Sequence, residues 1–263
     1  MIKSILKQTI FENVKNTNQT FTKHFHDTYT IGITSKGKFK SQHLNKSYLS
    51  YEKSTKIINP YEVHGGESNS WDYINFYPTI ATLSDIYEQI FFEKKVPIFE
   101  KHIIEDIKLY KKFYKFFYLA YFSKNHMQIE STMIEALSYL IKNHASVSNE
   151  LFYFENKKIV KDCLEYINSM LYENISLDDL AKYTNTSKYH LLRTFKKYTG
   201  LSPHQYILNQ RIINYKNILL KRKPISAFDL GFCDQSHLIR NFKKIYGYSP
   251  KNLSNSNFIL YKK

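Results

Sequence analysis

Between residues 20 and 78, short runs rich in Thr, Tyr, Ile and Phe alternate with polar breaks at SKGK (35–38), LNKS (44–47), NPYE (59–62) and GGESNS (65–70). Runs of this length between turn-forming clusters predict short antiparallel strands, arranged as a sandwich or small barrel. From about residue 83 to 143 the period changes. Ile103, Ile107, Tyr110, Tyr114, Phe117 and Tyr121 recur at spacings of three and four, as do Met133, Ile134, Leu137, Leu140 and Ile141. That pattern predicts two amphipathic helices. Their apolar surface is broad, so it suits either an intrachain core or, in part, a second subunit. Residues 143–156 (NHASVSNELFYFEN) lose the period and read as a linker, and a helical region follows.

That region contains a repeat. SKYHLLRTFKKYTGLSPHQY (187–206) aligns without gaps to DQSHLIRNFKKIYGYSPKNL (234–253), with nine identical positions out of twenty. Chance would give about one, so the repeat marks a duplicated supersecondary unit. In the first copy Leu191, Phe195 and Tyr198 form the inward face, and Tyr189, Arg193 and Lys196 the outward one. In the second, Leu238, Phe242 and Ile245 point inward and Ser236, Arg240 and Lys243 outward. Gly200 and Gly247 can end each helix in the left-handed conformation, and Ser-Pro then starts the next one. Before the first copy, Ser176-Leu-Asp-Asp179 reads as a capping box with Leu177, Leu180 and Ala181 as its apolar face, and Ser187 as the following N-cap. Short helix, tight turn and basic helix make a helix-turn-helix, whose second helix fits the DNA major groove. Lys196, Lys197, Lys243 and Lys244, farther along each helix, suit phosphates. Residues 203–221 form one continuous helical pattern of about 28 Å, a spacer able to set both reading helices on one DNA face.

Charge follows the same division. Residues 1–155 carry a net +3 and residues 156–263 a net +12, with every Arg in the second part. A basic region joined to a nearly neutral one suggests a polyanionic partner, either nucleic acid or an anionic membrane surface, and charge alone also fits a merely soluble basic surface. Two distant cysteines, Cys163 and Cys233, offer neither a disulfide framework nor zinc-finger spacing. The start, MIKSILKQTIFENVK, lacks the apolar core of a signal peptide, and the densest apolar run, Phe113 to Phe122, is too short to cross a bilayer. A soluble, cytoplasmic protein without a membrane partner is the expectation.

ISLDDLAKYTNTSKYHLLRTFKKYTGLSPHQYILNQR and GFCDQSHLIRNFKKIYGYSP closely resemble the AraC/XylS family of bacterial transcription regulators, over about residues 156–253. The resemblance implies two helix-turn-helix units joined by a long helix, control of nearby promoters, and double-stranded DNA and RNA polymerase as partners; a homodimer is expected from the wide apolar stripes of the helices within residues 100–143. The positions it makes base-facing are Lys188, Tyr189, Leu192 and Arg193, then Gln235, Ser236, His237 and Arg240. His190 and His237 repeat identically and suit a structural hydrogen bond as well as a DNA contact. One departure stands out. The family's second unit usually opens I-x-x-I-A-x-x-x-GF, whereas KPISAFDLGF here is two residues short, leaving barely one turn between Ser226 and Gly231. The two units are therefore expected to be unequal readers.

HFHDTY (24–29), Gly37 and NPYEVH (59–64) resemble the cupin-like sensor barrel of many AraC-type regulators. His24, His26, Tyr29 and His64 are its candidate effector pocket. Three imidazoles could hold a metal. Metal-binding cupins place a Glu about four residues after the second His, and Thr30 stands there, so the expectation is a metal-free barrel with no cofactor. The resulting fold class is α+β: a cupin-like β-barrel with two helices for sensing a small molecule and for self-association (residues 1–145), then an all-α double helix-turn-helix domain (residues 156–263). The function expected is sequence-specific transcription regulation rather than enzymatic activity. The alternative readings are a metal-dependent cupin enzyme with a DNA-targeting appendage, and a non-specific nucleic-acid packaging protein.

Overall fold

A computed structural model describes residues 9–43, 46–148, 158–255 and 258–262. Part of the LNKS turn and most of the expected linker, residues 149–156, lie outside them. The strands are β1 (Phe11–Thr17), β2 (Thr20–His24), β3 (Thr30–His43), β4 (Lys46–Ser50), β5 (Thr55–Ile58), β6 (His64–Phe76), β7 (Val96–Ile98), β8 (Ile103–Ile104), β9 (Ser146–Ser148) and β10 (Phe258–Lys262). Eight of them form one sheet in the order β10-β1-β6-β3-β5-β8, with β2 also on β6 and β4 also on β3; β7 and β9 pair separately. The start of the expected linker is thus the end of a helix followed by β9, tied back to β7.

The long antiparallel pair β3–β6 is the frame. Its register runs from Ile31 opposite Phe76 to His43 opposite His64. Gly37 sits where that register shifts, at φ +72°, and a Cβ there would come within 2.1 Å of the Ser70 carbonyl oxygen. Only glycine fits both demands. Alternation divides the sheet into two faces. Phe11, Ile31, Ile33, Ile57 and Phe76 pack under helices, while Glu12, Thr30, Lys56, Tyr73 and Asn75 line a small internal cavity.

Three helices, not two, cover the first face: α1 (Ile80–Phe91), α2 (Ile107–Phe122) and α3 (His126–His144). The buried side of α2 is Leu109, Phe113, Phe116, Phe117 and Ala120. Ile107 and Tyr114 of the expected stripe are exposed, and Ile103 belongs to β8. Aromatic residues surround α2 on nearly every side, so its spacing alone permits more than one inward face. The Asp106 side chain accepts from the Lys108 and Leu109 amides and starts the helix after Ile103.

The helical region comprises α4 (Lys158–Ser169), α5 (Leu177–Tyr183), α6 (Lys188–Thr199), α7 (Pro203–Leu220), a 3-10 turn (Phe228–Leu230), α8 (Gln235–Tyr246) and α9 (Pro250–Asn255). The caps fall where the sequence places them: capping boxes at Ser176 and Ser202, an N-cap at Ser187, and left-handed glycines at Gly200 and Gly247. Helix α7 is the spine between the units. Its apolar residues point to every side because it is buried on every side. Ile207 and Ile213 join the first unit's core, with Leu191 and Phe195. Ile212 and Tyr215 join the second's, with Leu238 and Phe242. The barrel contributes Phe25 and Val63 to the first core and Ile10 to the second. Strand β10 then leaves the helical region and pairs in parallel with β1, so residues 258–262 lie with the barrel rather than with the helices that precede them.

Candidate nucleic-acid interface and barrel site

In the first unit, α5 supports α6, and the Ser187 side chain caps α6 by accepting from the His190 amide. This holds Leu191 and Phe195 inward and leaves Lys188, Tyr189, Leu192, Arg193, Lys196 and Lys197 exposed. Tyr189 is 75% exposed, which excludes packing on the neighbouring helix. Lys188 reaches Asp178 on α5 at 3.0 Å, a pair in open solvent that costs little to exchange for a phosphate. In the second unit the 3-10 turn replaces the supporting helix, as the missing residues require. Asp234 caps α8 by accepting from the His237 amide. Gln235, Ser236, Arg240, Lys243 and Lys244 are exposed. His237 is half-buried, its ring edge-on to Phe232 at 5.5 Å, whereas its counterpart His190 is exposed. The repeated histidine thus has a packing role in the second unit alone.

Arg211, which the sequence reading did not single out, ties the units together. Its guanidinium donates to the carbonyls of Leu171, Glu173 and Gly231, from the segment before α5 and the turn before α8. Gly231, at φ +74°, leaves room for it: a Cβ would lie 2.6 Å from the Arg211 Cζ.

The spine also docks on the barrel. Asn209 accepts from the Phe25 amide and donates to the Phe25 carbonyl, at 3.1 and 2.9 Å. Asp27 accepts from Lys216 at 3.3 Å and Asn217 at 3.0 Å. Burial pushes the Asp27 carboxyl up, but the Lys216 ammonium and these hydrogen bonds outweigh it and hold it below the usual range. Beyond the spine, the last turn of α8 forms part of the cavity wall. Ile245 and Tyr246 line it, and the Tyr246 ring stacks on His26.

Inside the barrel, register assembles the histidines. His24 on β2 and His43 on β3 both lie opposite His64 on β6, so three imidazoles form a row across adjacent strands. His26, just past β2, folds back so that its Nε2 lies 3.2 Å from that of His24. His24 and His64 each place Nδ1 against a backbone carbonyl, of Thr22 and Glu62, leaving Nε2 as the lone-pair nitrogen. Donor atoms of His24, His26 and His64 lie within 4.8 Å of one another and could hold a metal ion. Burial lowers the pKa of all three, that of His24 to about 4. Tyr29 is not part of this pocket. Alternation puts it on the helix-covered face, where its hydroxyl donates to the Pro97 carbonyl at 2.6 Å.

Two further groups in the cavity were not anticipated. Glu12 accepts from the Tyr77 hydroxyl at 2.7 Å, and burial raises its pKa to about 7. Lys56 lies 4.8 Å above the rings of both Phe39 and Trp71, and burial lowers its pKa to about 8. Nothing in local sequence marks them, because each is a charged residue in an otherwise ordinary strand. The cavity measures about 40 Å³, room for a water or an ion, against about 300–1,000 Å³ for an ordinary small-molecule pocket. Beside it a second cluster, His43, Glu62 and His102, brings three more donor atoms within 4.8 Å of one another.

Comparison with known proteins agrees with this architecture. Residues 11–139 match the family described as an AraC-like ligand binding domain, and residues 180–256 a helix-turn-helix domain family. The HTH-type transcriptional regulator YbfI of Bacillus subtilis is 31% identical over 231 residues, 85% of this chain and 83% of that protein. GbdR of Pseudomonas aeruginosa is 31% identical over 101 residues, 37% of this chain and 27% of its own. Among solved structures, apo ToxT from Vibrio cholerae superposes with a TM-score of 0.59 at 15% identity, covering 94% of this chain and 96% of ToxT. ToxT bound to an unsaturated fatty acid gives 0.52 at 17% identity, covering 93% and 94%. At these identities the likeness to ToxT is one of fold.

Proposed function

This chain belongs to the AraC/XylS family of DNA-binding transcription regulators, and we propose that it reads promoter DNA with α6 and α8 while an effector in the barrel controls how α8 is seated. The relatives are regulators, so the enzyme alternative is set aside. The observation that carries the reading is the double duty of α8. Its exposed start bears Gln235, Ser236 and Arg240, and its buried end supplies Ile245 and Tyr246 to the cavity wall. Lys188, Tyr189, Leu192 and Arg193 read one half of the site, and Gln235, Ser236, His237 and Arg240 the other. Lys196, Lys197, Lys243 and Lys244 hold phosphates. An effector larger than the present cavity that enters on the α8 side displaces the Tyr246 ring, so its entry there and the present seat of α8 exclude each other. The unsaturated fatty acid held by ToxT is of that kind, far too large for about 40 Å³; a bound ion is not.

Self-association through α2 is part of the proposal. Tyr114, Tyr118 and Phe122 recur at four-residue spacing on its outer side and are 51%, 56% and 73% exposed. A second copy related by a two-fold axis fits such a stripe. The protein works in the cytoplasm, with RNA polymerase as the partner at the promoter. No helix among the described residues is long and apolar enough to cross a membrane.

The test is binding to DNA from upstream of the protein's own gene and to a shuffled sequence, at fixed salt. A protected footprint spanning two adjacent major-groove segments on one face is expected. Equal affinity for both DNAs would favour a packaging role instead.

A further inference from the structure

The side chains of His43, Glu62 and His102 come from three separate segments: the end of β3, the β5–β6 connection and the stretch before β8. Glu62 Oε1 receives both imidazoles, His43 Nδ1 at 2.8 Å and His102 Nε2 in a still shorter contact. The other carboxylate oxygen, Oε2, is held by the Asn59 amide at 3.3 Å and by Asn59 Nδ2 at 3.1 Å. Asn59 also bonds both ways to Phe99, at 2.9 Å each, which fixes the His102 segment against the barrel rim. The His102 carbonyl accepts from the Ile57 amide at 2.8 Å, and the Tyr48 ring covers both imidazoles, with centroids 5.2 and 4.6 Å away. Both histidines are nearly buried, while the Glu62 side chain is 24% exposed and leaves an approach from solvent.

We propose that His43, Glu62 and His102 bind a divalent transition-metal ion of the zinc class, and that this ion is an effector of the barrel. Two imidazole nitrogens and one carboxylate oxygen form a known kind of zinc donor set, with a fourth position left for water. Donors around a tetrahedral zinc sit about 3.3 Å apart for bonds of about 2.0 Å, so the His43–Glu62 pair has to open by about half an ångström and the shorter His102–Glu62 pair by more. Each imidazole now presents an N–H to Glu62; to receive the ion, each ring moves that hydrogen to its other nitrogen, His43 Nε2 and His102 Nδ1, both buried without a hydrogen-bond partner among the described residues.

Charge favours this cluster over its neighbour. The trio His24, His26 and His64 offers three neutral rings in a fully buried place that also feels the Lys56 ammonium. No carboxylate is among that trio's donor atoms, and the cavity's Glu12 is engaged by the Tyr77 hydroxyl, so a dication there would have little to offset its desolvation. Glu62 supplies a carboxylate to the triad. His64 is the bridge between the clusters, stacked on His43 at 5.8 Å and 5.1 Å from His26, which carries Tyr246. Opening the triad therefore acts on the ring against which α8 is seated. This last step rests on the barrel being the effector module; the site itself does not.

The experiment is titration of the full-length, chelator-stripped protein with Co²⁺, read by its visible absorption, then displacement by Zn²⁺ with metal analysis after dialysis. DNA affinity is measured on the same samples. One equivalent is expected, with binding at least tenfold weaker in Glu62→Gln and in His102→Ala, and 10–100-fold weaker in Asn59→Ala, which positions the carboxylate. The ion should raise the melting temperature of the wild type and not that of Glu62→Gln, each variant's own melt showing that it folds. Retention of the equivalent in His24→Ala and in Cys233→Ser would support the triad, since Cys233 and His237 are another soft pair, 3.4 Å apart. No binding, or loss that follows His24→Ala instead of Glu62→Gln, would overturn it. A bound ion that leaves DNA affinity unchanged keeps the site and removes the effector role. Absence of any sequence preference in either metal state would strike the regulator reading instead.

Discussion

Tyr246 lies almost flat on His26, with ring centroids 5.3 Å apart and planes 23° apart. The contact joins the last turn of a DNA-reading helix to the histidine row of the barrel. Both residues are buried, so the stack depends on the two regions staying docked. Replacing Tyr246 with Ala should cost about 3 kcal/mol, the usual loss for a buried aromatic truncated to Ala. Urea unfolding of the two proteins checks this. A change below about 1 kcal/mol, within ordinary surface scatter, would mean that the ring does not hold α8 in place.

The two reading helices should contribute unequally. Arg193→Ala is expected to cost about 1–3 kcal/mol of DNA binding and to relax preference in one half of the site. Arg240→Ala should cost less, because the base-facing start of α8 has only a 3-10 turn for support. The check is binding of both variants to sites substituted one base pair at a time, at constant salt. Equal and equally local losses would show that docking on the barrel fully replaces the missing helix turn.

Lysines at the far ends of the same helices should behave differently. Lys196→Ala and Lys243→Ala should weaken all sequences alike, and each should lower the slope of log affinity against log salt by about 0.9. A change confined to particular bases would place those residues in the groove rather than on the phosphates.

Arg211 should matter for stability although it faces no DNA. Arg211→Leu leaves the carbonyls of Leu171, Glu173 and Gly231 without their donor. The expected cost is about 3 kcal/mol, since hydrogen bonds from a charged group are worth more than neutral ones. Thermal unfolding followed by circular dichroism reads it. Wild-type stability in the variant would show that water reaches those carbonyls.

Glu12 sets a pH dependence. It faces Tyr77, Tyr73, Asn75 and Lys56, and its pKa rises from 4.5 to about 7, with burial the largest cause. The folded protein therefore binds a proton that the unfolded chain has lost, between about pH 4.5 and pH 7. The contribution of Glu12 to stability falls as pH rises through that window and levels off above it. Glu12→Gln removes the ionisation, so it should gain roughly 2–3 kcal/mol on the wild type between pH 5 and pH 8. Urea midpoints at the two pH values test the sign. A relative loss at pH 8 would show that the ionised carboxylate is held by Lys56 at a net benefit.

The helical region was legible in the sequence because its signals are local. Ser176, Ser187 and Ser202 before apolar runs, and Gly200 and Gly247 after them, are read within a few residues, and the repeat doubles the evidence. The sheet was less so. Strand β1 went unread because its pattern differs little from a helix end, and β7 to β10 are short and owe their pairing to distant partners. The phase of α2 was misjudged since aromatics on most of its sides leave the inward one to tertiary packing. His24, His26 and His64 were found from a motif. Joining His43 and His102 to them required the β3–β6 register and the Asn59 tie, and neither leaves a trace in neighbouring residues. Tyr29 was misplaced by one step of strand alternation.

The parallel pairing of β10 with β1 has a consequence for how the molecule is made. Contacts between opposite regions of a chain are the slowest to form, since so long a loop must close before they give any return. While the protein is synthesised, β1 waits with a bare edge until the DNA-binding helices have followed it out of the ribosome. During that interval, unpaired strand edges on nascent barrels can find one another. Folding yield, more than the stability of the finished molecule, should therefore be what the five residues of β10 protect.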